Sequence, residues 1–415
     1  MVPAVEMVHP VPVEDAREWL AAVVTTLLGD PYAEEFEKRL ERWLRDWPAD
    51  IWGYRDHGRW VATLATEPRV LTVPGPGVTT RDLDVDSLTT VTVAATHRRR
   101  GLLTSMMRDS LQSAKDRGLP LSVLIAAEWP IYGRFGYAPS VLDSGYVYHP
   151  RRPAAGLPAP KAGSVRQVEP AELIDVAPEI FERARRTRAG QMDRRGLWWA
   201  RALNVGFEAV GKQQHWILHE GADGPDGLLS WRVTRDWELT GEMGAIEVPV
   251  FVTATEEAYL DLWGYLAGID VVDEIHVDDR PVDEPIRWHL QDARALSYKT
   301  TFDYLWVRLL DVPVALAARS YAVPGRLVLD VVDNDLGGYG AGCVLLDADE
   351  SGVRCEATNE QPDLRVNQRA LASCYLGGYR LRQLSHLVEE LTPGALDRAD
   401  LMFSTALPPW NQTGF

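Results

Sequence analysis

Residues Val91 to Met107 read VTVAATHRRRGLLTSMM. The first half is rich in Val and Thr, the composition of a strand. After Gly101 the apolar residues recur with helical spacing. Leu103, Met106, Met107, Ser110, Leu111 and Ala114 fall on one face, and Gly118 is a stop signal. Arg98, Arg99 and Arg100 therefore crowd the start of a helix, the end that carries partial positive charge and normally attracts acidic residues. A strand, a short basic loop with glycine and a helix can hold a pyrophosphate. Free N–H groups of the first turn point at the phosphates, and arginines supply countercharge and bidentate hydrogen bonds.

Working outward, IWGYRDHGRWVATLA (Ile51 to Ala65) reads as a hairpin turning at Asp56 to Gly58, and PLSVLIAA after the arginine helix reads as another buried strand. WLAAVVTTLLG from Trp19 follows acidic residues and is too short to span a bilayer, so it reads as the buried face of a first helix. HPRRPAAGLPAPKAG (His149 to Gly163) is a linker by its Pro, Ala and Gly content, and a second break is expected around Val277 to Pro285. Three α+β regions follow, spanning 1–150, 164–299 and 300–415. The middle one repeats the order of the first, with MGAIEVPVFVTAT as strand and EEAYLDLWGYLAG as helix, its apolar stripe at Tyr259, Leu262, Trp263 and Leu266. That helix has Glu256 and Glu257 in its first turn and a capping box expected between Thr253 and Glu256, so nothing there would welcome a phosphate.

Composition limits the partners. The 415-residue chain has 43 basic and 60 acidic side chains, a formal net charge of -17. Such a molecule repels nucleic acid and attracts a cationic small substrate. Three scattered cysteines, Cys343, Cys355 and Cys374, form neither a disulfide framework nor a zinc site and fit a reducing cytoplasm. There is no P-loop motif. Gly338, Gly340 and Gly342 in GGYGAG precede a strand, CVLLD, and so belong to a hairpin turn rather than a dinucleotide site. His215 and His219 in HWILHE lack an evident third ligand, so no metal is expected.

Arg98 and Gly101 match the acetyl-coenzyme A signature R-x-x-G-x-G/A of the GCN5-related N-acetyltransferases (GNAT), with Leu103 in place of the usual small last residue. VTVAATHRRRGLL followed by IYGRFGY (Ile131 to Tyr137) is similar to one subgroup, the enhanced-intracellular-survival (Eis) aminoglycoside acetyltransferases, and the resemblance covers the whole chain. It implies two acetyltransferase folds in tandem, the second degenerate, and a sterol-carrier-like third domain, which LWVRLLDVPVALAARSY and CYLGGYR resemble. It also implies acetyl-coenzyme A as co-substrate, with Val91, Thr92 and Val93 on its pantetheine arm. Arg98, Arg99, Arg100, Gly101, Leu102, Leu103 and Thr104 would surround the pyrophosphate, and Ala127 and Glu128 would close around the acyl end.

The same resemblance makes Tyr132 the general acid and places Glu67 in the pocket for a polycationic amine, where Trp43, Trp47 and Trp52 could add aromatic walls. It implies a cytoplasmic homo-oligomer, a hexamer in that family, acting on neither nucleic acid nor membrane. The chain ends LPPWNQTGF, with Trp410 and Phe415 as apolar anchors; the resemblance makes the α-carboxylate of Phe415 the general base, and Gly414 means that no neighbouring acidic side chain assists it. The alternative is a lipid-binding or scaffolding protein with a vestigial acetyltransferase fold, raised by the third domain and opposed by the intact loop from Arg98 to Gly101.

Overall fold

The strand that carries VTV is longer than its Val and Thr run, because its pairing with the preceding strand continues back to Thr80. In the computed structural model, which describes residues 5–33, 36, 37, 40, 41, 44, 50–152, 156–203 and 214–415, it is β4 (Thr80–Val93). Trp43 and Trp47 lie outside the described residues. β4 pairs antiparallel with β3 (Arg59–Pro74), which turns from β2 (Asp50–Asp56) through His57 and Gly58, both with positive φ. On its other side β4 runs parallel to β5 (Leu121–Ile125). Parallel neighbours need a crossover, and the basic loop and the Leu102–Asp116 helix provide it.

The first sheet has seven strands. β1 (Glu6–Val8) is its edge beside β2, and beyond β5 come β14 (Leu305–Leu309) and then β6 (Ala138–Pro139). The second sheet follows the same plan. β8 (Val165–Val168), β9 (His215–Gly221), β10 (Gly224–Arg235) and β11 (Gly244–Thr253) run in order, and β11 is parallel to β12 (Val272–Arg280) across the Glu256–Ala267 helix. Next to β12 lie β7 (Leu142–Tyr148) and then β13 (Leu296–Asp303).

The two sheets therefore exchange strands. β7 follows β6 in the chain but enters the second sheet between β12 and β13. β14 follows β13 but enters the first between β5 and β6. The sheets thus do not respect divisions near residues 150 and 300. The opening of the region expected at 300–415, TTFDYLWVRLLD (Thr300 to Asp311), contains the end of β13 and all of β14.

The third unit is a five-stranded sheet in the order β17 (Gly352–Ala357), β16 (Gly342–Asp349), β15 (Gly325–Val332), β18 (Leu364–Asn367), β19 (Val388–Glu390). GGYGAG ends the connection between the antiparallel β15 and β16, with its last residue, Gly342, the first of β16, as its hairpin reading expects. The unit has no core of its own. Leu121, Val123, Leu305, Val307 and Leu309 of the first sheet share one buried cluster with Leu327, Leu329, Leu371 and Phe403. The alternate residues Leu124 and Trp306 face the other way, onto Met106, Met107 and Leu111 of the Leu102–Asp116 helix.

Two local expectations are corrected. Leu102 is buried and Leu103 only partly, since Gly101 turns in the left-handed region and starts the helix one residue earlier than the stripe suggests. The cap of the middle helix is Thr255, whose side chain accepts from the Ala258 N–H at 3.1 Å; Thr253 is still strand. His219 is buried between Asp226, 2.6 Å from Nδ1, and Asp261, 3.3 Å from Nε2, while His215 stacks on Trp231. Trp52 is core, with its carbonyl accepting the Trp19 indole N–H at 2.9 Å.

Candidate active site

β4 and β5 pair only from Asp86 with Ser122 to Leu88 with Leu124. At Thr90 the backbone takes a positive φ of 53°, and the register against β3 shifts. Residues 91–93 then stay on β3, through Thr92 with Thr63 and Val93 with Ala62, and among the described residues no strand pairs with them on their β5 side. The parting leaves an open main-chain edge that ends at the basic loop.

The loop closes with Arg98 extended, Arg99 at φ 63° and Gly101 at φ 82°. The first intrahelical bond runs from the Ser105 N–H to the Gly101 carbonyl at 3.0 Å. Leu102, Leu103 and Thr104 therefore present the orphan N–H groups of a helix start. No side chain caps them and no acidic residue sits in the first turn. All three arginines are exposed, and among the described residues none forms an ion pair; Arg100 donates to the Thr96 carbonyl at 3.1 Å. An uncapped positive helix end beside unpaired guanidiniums, continuous with a free strand edge, fits a diphosphate carrying an amide-rich arm.

Across the parting, β5 ends at Ile125, Ala127 and Glu128 are exposed, and the short Trp129–Tyr132 helix follows. Tyr132 is 7% exposed, edge-on to Tyr137 with ring centroids 6.3 Å apart. Burial, helped by the nearby Glu128 charge, pushes its phenol up to about 12.

Glu67 is not a free carboxylate. It accepts from Arg69 Nη1 at 2.8 Å, and Arg69 Nε also bonds Asp193 Oδ1 at 2.7 Å. The Arg69 guanidinium lies 5.8 Å from the Phe415 ring centroid, so the structure brings Glu67 and the chain's last residue to one arginine. Phe415 is half-buried against the core shared by the first and third units. The sequence reading missed Arg69, Asp193 and Arg194, whose partners Asp193, Arg69 and the 412–413 tail lie more than a hundred positions away and leave no local pattern. Among the described residues no group of three His, Cys, Asp or Glu side chains could hold a metal ion, and no helix is long and apolar enough to cross a membrane.

A parted parallel strand pair, a bulged fourth strand and an uncapped helix after a basic glycine loop define an acetyltransferase of the GCN5-related fold. Comparison with known proteins agrees. The acetyltransferase (GNAT) domain family matches residues 8–140, a second family of the same description matches 190–309, and the sterol carrier protein domain family matches 312–412. An uncharacterized N-acetyltransferase of Streptomyces griseus is 34% identical over 95% of this chain and 96% of its own. The N-acetyltransferase Eis of Mycobacterium tuberculosis is 32% identical over 83% of each chain. The crystal structure of Eis1 from Mycobacterium abscessus superposes with a TM-score of 0.85 at 29% identity, covering 99% of this chain and 100% of that one. The chain belongs to the Eis family of GCN5-related N-acetyltransferases, and it is an acetyl-coenzyme A-dependent acyltransferase.

Proposed function

We propose that the chain moves the acetyl group of acetyl-coenzyme A to a primary amine of a polycationic small molecule such as an aminoglycoside. Tyr132 is the general acid and the α-carboxylate of Phe415 the general base. The observation that carries this reading is the open edge of residues 91–93 running into an uncapped helix start with three unpaired arginines. In this reading the main chain of Val91, Thr92 and Val93 holds the pantetheine arm. Arg98, Arg99, Arg100 and Gly101, with the N–H groups of Leu102, Leu103 and Thr104, hold the diphosphate, and Ala127 and Glu128 flank the acyl end.

Acetyl-coenzyme A supplies an activated acyl carbon whose leaving sulfur needs a proton. Tyr132 keeps its proton at neutral pH, because its pKa lies at about 12, and offers it only where negative charge develops. The incoming ammonium must lose a proton before its nitrogen attacks, and the Phe415 carboxylate takes it. Glu67 and Arg69 line the acceptor side next to Phe415. The net charge of -17 draws a polycation toward the molecule.

A thiol-release assay with acetyl-coenzyme A and a panel of aminoglycosides and polyamines tests the reading, with mass spectrometry locating the acetyl group. Turnover is expected with several amines, and silence with all of them would sink it. Amidating Phe415 should abolish most turnover while leaving acetyl-coenzyme A binding and melting temperature in place; full activity in the amidated protein would mean the base lies elsewhere.

A further inference from the structure

Residues 189–195, AGQMDRR, belong to the second unit but lie between the other two. On one side they lengthen the partnership of β3. Gly190 N–H donates to the Thr72 carbonyl at 2.7 Å, Thr72 N–H to the Gln191 carbonyl at 2.9 Å, and Asp193 N–H to the Val70 carbonyl at 2.9 Å. On the other side they take the C-terminal tail. Trp410 N–H donates to the Ala189 carbonyl at 2.9 Å, Met192 N–H to Asn411 Oδ1 at 3.2 Å, and Gln412 N–H to Gln191 Oε1 at 3.3 Å. Gly190 has φ 96°, and a Cβ there would sit 3.1 Å from both the nitrogen and the oxygen of Trp410, so the crossing admits only glycine. Asn411 and Thr413 are completely buried, unlike an ordinary frayed terminus.

Arg194 closes this crossing. Its Nη2 donates to the Gln412 carbonyl at 2.6 Å and its Nε to Thr413 Oγ1 at 3.2 Å. The residue is 8% exposed, and among the described residues no carboxylate pairs with it. Its guanidinium lies instead against the rings of Trp198, Phe181 and Trp199, at 3.7, 4.1 and 5.3 Å from their centroids. A buried cation without a counterion is expensive unless it is otherwise satisfied; here ring faces and tail oxygens offset part of that cost, while Nη1 is buried with no hydrogen-bond partner among the described residues. The contact with Gln412 is to main chain, so it fixes where the tail lies rather than which side chain occupies it.

We infer that the 189–195 segment of the second unit, with Arg194 as its positioning residue, holds the C-terminal tail in the register that delivers Phe415 to the first unit. The unit with the acidic helix start thereby has a task in the reaction. The inference rests on Phe415 acting as base, so its test reads tail position separately from activity. The full-length Arg194→Met variant, which keeps the apolar stem in its aromatic cage, is exposed to carboxypeptidase A, and release of Phe415 is followed by mass spectrometry.

We expect release about tenfold faster or more than in the wild type, since both charge-assisted hydrogen bonds from Arg194 to the tail are lost. Acetyl-coenzyme A affinity and its KM should be unchanged, kcat should fall at least about tenfold, and Arg194→Lys should recover part of it. Where Arg194→Met does not fold, Thr413→Val removes the tail's oxygen while leaving the cation in place and is read the same way. Wild-type protection of Phe415 in the folded variant overturns the clamp. Faster release with wild-type kcat upholds the clamp and sinks Phe415 as the base.

Discussion

Tyr132 and the arginines of the loop make separable claims. Replacing the phenol, Tyr132→Phe, should lower kcat by about 10²–10⁴-fold, the usual contribution of a positioned acid, with acetyl-coenzyme A affinity intact. Because burial raises the phenol to about 12, it stays protonated through neutral and moderately alkaline pH. A descending limb of kcat below about pH 10 therefore belongs to another group, and a pH–rate profile checks this. The same shift links to stability. The unfolded chain loses this proton near pH 10 and the folded one near 12, so Tyr132's contribution is complete below pH 10 and is lost between the two values. Reversing charge with Arg99→Glu and Arg100→Glu should raise the acetyl-coenzyme A dissociation constant about tenfold or more, since a charge-assisted hydrogen bond is worth roughly 1.5–3 kcal/mol. An unchanged constant, measured by equilibrium dialysis, would reduce the loop to a basic turn. The loop arginines stood out in the sequence because, at a helix start, they oppose the dipole and so ask for an explanation, whereas Tyr132 came only from the resemblance. Arg194 did not stand out: between Asp193 and Arg195 it has the look of a solvated charge, and its hydrogen-bond partners lie more than two hundred positions away along the chain.

Among the elements, β14 joins the first sheet to the third unit. Its Arg308 is fully buried, and so is its partner Asp333 in the loop after β15, with Nη2 to Oδ2 at 2.7 Å. The same loop donates Leu336 N–H to the Arg134 carbonyl at 3.5 Å and packs Tyr339 beside the Leu102–Asp116 helix, where its hydroxyl donates to the Arg108 carbonyl at 3.3 Å. Gly136, four residues past Tyr132, lies against this guanidinium: a Cβ there would stand 1.9 Å from Nη1, at φ 82°. Gly136→Ala should therefore push Arg308 off Asp333 and destabilise the Tyr132 turn, lowering both melting temperature and kcat. Asp333→Ala leaves a buried cation unpaired and should cost about 3–5 kcal/mol, read as a lower urea midpoint at constant slope. A loss under about 1 kcal/mol would mean that water reaches Arg308. GGYGAG was recognisable as a turn from the strand after it, but its docking on another unit was not, since turn glycines report only local backbone. β7 and β14 show the limit more sharply: their alternation buries a strand equally well in either sheet.

For the whole molecule, exchanged strands and a shared core make independent unfolding of the units impossible to arrange. The third unit's Leu327 and Leu329 belong to the same buried cluster as Leu121 and Val123 of the first sheet. We expect one calorimetric transition with equal calorimetric and van't Hoff enthalpies, and two separated transitions would contradict the shared core. A fragment ending at residue 141 should be insoluble, because its sheet lacks β14 and exposes Leu121 and Val123. The exchange also sets a timetable for synthesis. β6 leaves the ribosome early, yet its one strand partner among the described residues is β14, so the first sheet waits with an empty slot while roughly 165 further residues are made, on the order of 10–30 s at typical elongation rates. Throughout that interval the nascent chain carries an unfilled apolar strand site, the kind of surface that chaperones bind.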